Sequence, residues 1–233
     1  MAGLARLAAP GSKLVLKPCV DGSGGAGVFV YERRDGAHVV NGVLVTPNDL
    51  GRRLGGGVWL VCAYVEQADY ARTIFPDVAN TIRVLTMYDD EAGQAFAAAA
   101  VHRFGTRAQG PTAVDNWSRG GLTAAIDLAG GCLGRAYGFP SAGGLVTHAT
   151  HPDTGTPIEG AVVSGWPAVR DGIVALATRL PFLPYVGWDV VVTDEGYQVI
   201  EGNRRPDVNL LQVHRPLLAD PRVRRFYERH GVL

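Results

Sequence analysis

The chain lacks almost everything that would tie it to a charged partner, a membrane or an oxidising compartment. Lys+Arg and Asp+Glu each number 22 among 233 residues, so the formal charge is zero. No general field therefore draws nucleic acid or an anionic membrane surface. Cysteine is scarce: Cys19, Cys62 and Cys132 lie far apart without CxxC spacing. An odd, scattered set argues for reduced thiols in a cytoplasmic protein. No apolar run approaches the ~20 residues needed to span a bilayer, and residues 1–10 are too short and interrupted for a signal peptide. No Ser-His-Asp set is evident. His148 and His151, with Asp153 beyond, sit among Pro152, Gly155 and Pro157. That segment is a loop and not a helix with histidines on one face, so no metal pair is expected there.

What is present centres on residues 187–203, GWDVVVTDEGYQVIEGN. Val190, Val191 and Val192, then Val199 and Ile200, are β-branched runs separated by turn chemistry at Thr193-Asp194-Glu195-Gly196, which predicts an antiparallel hairpin. Asp189 is expected at the start of the first strand, with Glu201 and Asn203 at the end of the second. Glu201 and Asn203, two apart, project on one side. Two carboxylates and an amide oxygen converging there make an all-oxygen site of the kind that suits Mg²⁺. The other reading is a surface hairpin with ordinary polar ends.

At 233 residues, 47% hydrophobic, the chain can bury a core as one large unit or two small ones. A short apolar strand at residues 14–18 carries Lys17. A glycine-rich segment with Ser23, Gly24, Gly25 and Gly27 follows, and then a strand. A Walker loop needs the reverse order, lysine after the glycines and then a helix. The glycines still allow close backbone approach and N–H groups that cradle phosphate, although a hairpin with a flexible loop fits as well. Residues 39–45 read as one strand, and Thr46 and Pro47 as a helix start. Residues 59–63 and 80–86 read as strands, the second interrupted by Arg83, a cation of the kind that is usually paired or functional because an unpaired buried charge is costly. Residues 95–101 are alanine-rich, which favours helix, but they are short and bounded by turn signals, so strand is expected. Residues 115–121 read as a polar loop, 167–180 as a helix, and 216–230 as a solvated C-terminal helix.

Taken in order, LVLKPCVDGSGGAGVFV, NTIRVLT, VDNWSRGGL, HPDTGTPIEG and YVGWDVVVTDEGYQVIEGN resemble the ATP-grasp superfamily. The nearest resemblance is to the sugar-transfer-associated branch related to the α-L-glutamate ligases, from about residue 14 to the C-terminus. The resemblance implies an α+β ATP-grasp fold, in which two α+β subdomains with antiparallel sheets sandwich a nucleotide. Residues 1–62 would form the lid with its glycine loop, and 63–233 the larger unit with the metal-binding hairpin. It further implies ATP and Mg²⁺ as cofactors, with Lys17, Ser23, Gly24, Gly25 and Gly27 on the nucleotide phosphates. Val65, Gln67 and Asp69 would lie at the hinge that reads adenine and ribose, and Asp189, Glu201 and Asn203 would hold the metal. Arg83 would face the transferring phosphate and Arg205 the substrate carboxylate.

The implied reaction is carboxylate–amine ligation through an acyl phosphate, on small-molecule substrates. A kinase-like phosphotransferase or a nucleotide-binding pseudoenzyme is the alternative. Two departures stand out. Cys62 and Ala63 occupy positions where the family's hinge carries acidic residues. The usual N-terminal domain and a second ATP lysine are missing ahead of Lys17, so either the start is truncated, or a homodimer or partner chain would complete that side, or activity would be reduced.

Overall fold

The computed structural model describes residues 11–20, 27–110, 114–141 and 143–233. Two antiparallel sheets follow one another along the chain. The first has the order β4-β3-β2-β1-β5, with β1 (Lys13–Pro18), β2 (Phe29–Arg34), β3 (Ala37–Val40), β4 (Val43–Val45) and β5 (Trp59–Ala63). Residues 39–45 are thus two strands and not one. Asn41 and Gly42 both take positive φ, as do Asp35 and Gly36, the backbone that two-residue hairpin turns require and that Asn-Gly and Asp-Gly supply. The helix α1 (Pro47–Leu54) starts where expected. Thr46 caps it in a reciprocal box with Asp49. Leu50 packs with Leu14, Leu16, Tyr31 and Val40, which leaves the alternate residues of β1, Lys13, Val15 and Lys17, on the sheet's other face.

Residues 64–80 connect the sheets and include α2 (Asp69–Ile74). Here two buried amides latch to one another. Gln67 Oε1 accepts from the backbone N (2.9 Å) and Nδ2 (2.8 Å) of Asn80. Gln67 Nε2 donates to the carbonyls of Phe75 (3.1 Å) and Val78 (2.8 Å).

The second sheet has the order β10-β9-β8-β7-β6-β11-β12: β6 (Ile82–Asp89), β7 (Gln94–Phe104), β8 (Leu122–Ile126), β9 (Leu133–Gly138), β10 (Thr147–His148), β11 (Tyr185–Thr193) and β12 (Gly196–Asn203). The alanine-rich stretch is strand, as expected. Its intrinsic helical preference yields to ladder bonds with β6 and β8 on both sides. The helix α3 (Trp166–Thr178) covers one sheet face, burying Trp166, Val169 and Ile173 with Ile82, Val84, Trp188 and Val190. On the opposite face, α4 (Asn209–Gln212) and α5 (Pro221–Arg229) bury Leu210, Leu211, Val223 and Phe226 against Leu85, Met87 and Val101. The C-terminal helix is therefore no free solvated element. It starts at Pro221 behind an Asp220 cap, and its apolar stripe closes the second core. The loop at 115–121 is likewise less polar than it reads, because Asp115 and Trp117 are both buried. No helix among the described residues is long and apolar enough to cross a membrane.

Three histidines are held neutral inside this unit. His102 Nδ1 donates to the carbonyl of Arg103 (3.1 Å), so its Nε2 accepts from the Tyr70 hydroxyl (2.9 Å). Burial pushes its pKa down to about 3. Burial also lowers His214 to about 4 and depresses His151, which bonds Gly105 O and the Asp153 amide and so has a packing role in its loop. Between the unfolded value near 6.5 and these folded values the unfolded chain binds more protons, so stability falls as pH falls. Denaturant midpoints are expected to decline from pH 7 to pH 5, with His102 alone accounting for roughly 2 kcal/mol at pH 5. A flat profile over that range would show that these rings are not kept neutral.

Candidate functional site

At one end of the second sheet, on the face that α4 and α5 cover at the other end, polar side chains gather from four strands. Asp189 on β11 lies directly opposite Arg83 on β6 and Glu201 on β12, so the three share a face. Asp189 is in mid-strand and not at the strand's start, because β11 begins at Tyr185. The hairpin ladder shifts register between Asp189 and Val190, which leaves Ile200 as the extra residue of a bulge. Such a bulge re-aims the side chains beyond it, and here those are Glu201 and Asn203. Arg83 grips Asp189 at two points, Nε to Oδ1 at 2.5 Å and Nη2 to Oδ2 at 3.1 Å. Arg103 on β7 reaches the same Oδ2 with Nη2 at 3.2 Å and Asp115 Oδ1 at 3.5 Å. Arg103 Nε also donates to Thr81 Oγ1 at 2.9 Å, and Nη2 bonds the same oxygen. Asp115 Oδ2 accepts from the backbone N (2.6 Å) and the hydroxyl (2.7 Å) of Thr81.

The side chains of Arg83 and Asp189 are 8% and 7% exposed, and that of Arg103 14%, so this is a buried network in which each charge depends on the others. Burial opposes ionisation of Asp189, yet Arg103 and Arg83 outweigh it and hold the carboxyl below its usual range. Burial likewise opposes the charge on Arg103, and Asp115 and Asp189 more than restore it. Gly187 makes room for the arrangement. A Cβ there would meet Pro206 Cβ at 2.5 Å and Arg83 Cδ at 2.9 Å, so the Arg83 stem crosses β11 where no side chain stands.

A family model for sugar-transfer associated ATP-grasp proteins matches residues 3–225. The chain belongs to the sugar-transfer associated ATP-grasp family. No curated protein matches it. The family brings with it the ATP-grasp α+β fold and an ATP-dependent, ligase-like enzyme function, and the two antiparallel sheets accord with that fold.

The remaining residues that the ATP-grasp resemblance singles out fall in several places. Lys17 lies on β1, opposite Leu60 of β5, on the face of the first sheet away from α1. Ser23, Gly24 and Gly25 lie outside the described residues. Gly27 is described and takes φ +74°. Val65 follows β5 in the connector. Gln67 is a correction: its amide is wholly engaged by Asn80, Phe75 and Val78, so it braces the connector and has no group left for a ribose. Asp69 is exposed and pairs with Arg72 at 2.9 Å. Arg205 is exposed and makes no ion pair with a described residue.

Arg103 and Thr81 went unnoticed in the sequence. The one available signal was a cation two residues from Val101 in a strand that alternates inward and outward.

For the divalent cation that ATP-grasp enzymes use with ATP, the donor chemistry fits. Among the described residues no three His, Cys, Asp or Glu side chains form a metal cluster; the set that the resemblance implies includes an amide oxygen, that of Asn203. Asn203 Nδ2 donates to Glu201 Oε1 (3.2 Å) and to Gly187 O (3.4 Å). Its Oδ1 is thereby left without a protein partner among the described residues, next to the exposed Glu201 carboxylate. Glu201 and Asn203 thus offer hard oxygens of the kind Mg²⁺ prefers, whereas both oxygens of Asp189 are already engaged by Arg83 and Arg103.

Proposed function

We propose that the protein is a carboxylate–amine ligase. A carboxylate oxygen attacks the γ-phosphorus of ATP, the bond to the β,γ-bridging oxygen breaks, and ADP leaves with that electron pair. The amine nitrogen then attacks the acyl carbon, inorganic phosphate departs, and the nitrogen gives up a proton as the amide forms. The observation that carries this reading is the pair of nearly buried guanidiniums clamped on Asp189 beside the oxygen donors Glu201 and Asn203. Phosphoryl transfer needs dispersal of growing negative charge and exact positioning more than it needs a protein nucleophile. Arg83, fixed by its two-point grip, would face the transferring phosphate. Lys17 would bring a point charge from the lid sheet, and Asp189, Glu201 and Asn203 would hold Mg²⁺. That ion, when bound, neutralises phosphate charge.

Phosphate release from ATP that requires both a carboxylate and an amine tests the reading. A stable phosphorylated product without amine would mark a kinase-like enzyme, and nucleotide binding without turnover a binding module. Glu201→Gln is expected to weaken Mg²⁺-dependent ATP affinity by at least the 10–100-fold that accompanies loss of a metal-supporting group. Its melting temperature should hardly change, because Glu201 is exposed. Unaltered Mg²⁺-ATP affinity by calorimetry would remove Glu201 from the metal set.

A further inference from the structure

The sequence points to Arg205 for the substrate carboxylate, but nothing among the described residues pins that guanidinium. We propose that Arg103 holds the substrate's carboxylate, beside a phosphoryl group on Arg83, an inference that rests on the ligase reading. The row of side chains across the sheet runs from Glu201 and Asn203 on β12 through Asp189 and Arg83 to Arg103 on β7. By strand order Arg103 is the last cation of that row, although its guanidinium also reaches back to Asp189. Beyond it the face is closed: Thr123, its cross-strand partner, is fully buried and donates to Leu210 O at 3.2 Å.

Arg103 is also the better held of the two candidates. Thr81, Asp115 and Asp189 engage its Nε and Nη2. Its Nη1, like that of Arg83, has no protein partner among the described residues and reaches solvent, since no buried side-chain polar atom among those residues is left unsatisfied. Each guanidinium thus keeps donors for an external anion.

The spacing is suited to two anions that must react. The Nη2 atoms of Arg83 and Arg103 lie 3.1 and 3.2 Å from one carboxylate oxygen, so they are at most about 6 Å apart. Two forks side by side can hold a phosphoryl group and a carboxylate at the roughly 3–3.5 Å approach that reaction requires, and offset the repulsion between them.

Acetyl phosphate, an acyl phosphate whose carboxyl group is already joined to the phosphoryl group, and inorganic phosphate are the probes. Each is titrated calorimetrically into full-length protein saturated with Mg-ADP. Wild type is expected to bind acetyl phosphate about tenfold more tightly than phosphate. Arg103→Lys should abolish that preference while changing phosphate affinity less than twofold. Thr81→Val keeps every charge but removes the hydroxyl that orients Arg103, so it should lose the preference too, and it preserves the test if Arg103→Lys does not fold. A preference retained in both variants, or phosphate weakened as much as acetyl phosphate, overturns the assignment. Wild type that fails to bind Mg-ADP overturns the ligase reading itself, a distinct result.

Discussion

Asp189→Ala is expected to destabilise the fold by about 3–5 kcal/mol, the range for removing one partner of a buried ion pair. The carboxylate sits between two guanidiniums whose side chains are 8% and 14% exposed. Without it, Arg83 loses both of its hydrogen bonds, and Arg103 keeps only Asp115 as an ion-pair partner among the described residues. Neither side chain can swing easily to water, because the Arg83 stem and Pro206 already crowd the space over Gly187. Two cations would then lie in a poorly hydrated site without the counter-charge they share. Denaturant unfolding followed by tryptophan fluorescence measures the loss, and Trp188, next to Asp189, reports on this region. A change within about 0.5 kcal/mol, as at ordinary surface positions, would mean that Asp189 does not organise the two arginines.

For Arg83→Lys the expected loss is about 2–3 kcal/mol of transition-state stabilisation, typical of one such donor and equal to roughly 30–150-fold in turnover. Nucleotide binding should survive. A lysine can neutralise Asp189 as a point charge, but it cannot hold both carboxylate oxygens and still present a donor outward. The defect should therefore appear in kcat for amine-dependent phosphate release, with Mg-ATP affinity by calorimetry close to wild type. Full activity in a folded variant, or a variant that unfolds, would return Arg83 to a purely structural role.

Local chemistry made much of this arrangement readable. The hairpin of β11 and β12 was legible because β-branched runs flank a stretch of turn residues, and α1 because Thr46, Pro47 and Asp49 are start signals within four residues. Arg83 stood out as a cation in an apolar run. By contrast, residues 39–45 misread as one strand because Asn41-Gly42 was passed over among valines. Gln67 misread as a ligand because a polar residue after a strand looks available until its four amide bonds are counted. Arg103 escaped notice because its partners Thr81, Asp115 and Asp189 are far from it in the chain.

The sequence alone determined the turn of the β11–β12 hairpin, the start of α1, and the family to which the chain belongs, since each depends on neighbours within a few positions or on an ordered set of motifs. Only the tertiary structure decided that Arg83 and Arg103 share Asp189, that a bulge at Ile200 re-aims Glu201, and that Gly187 clears a path for the Arg83 stem. The physical reason is that a buried charge must find its counter-charge wherever strand register brings one, and register here joins residues more than a hundred positions apart.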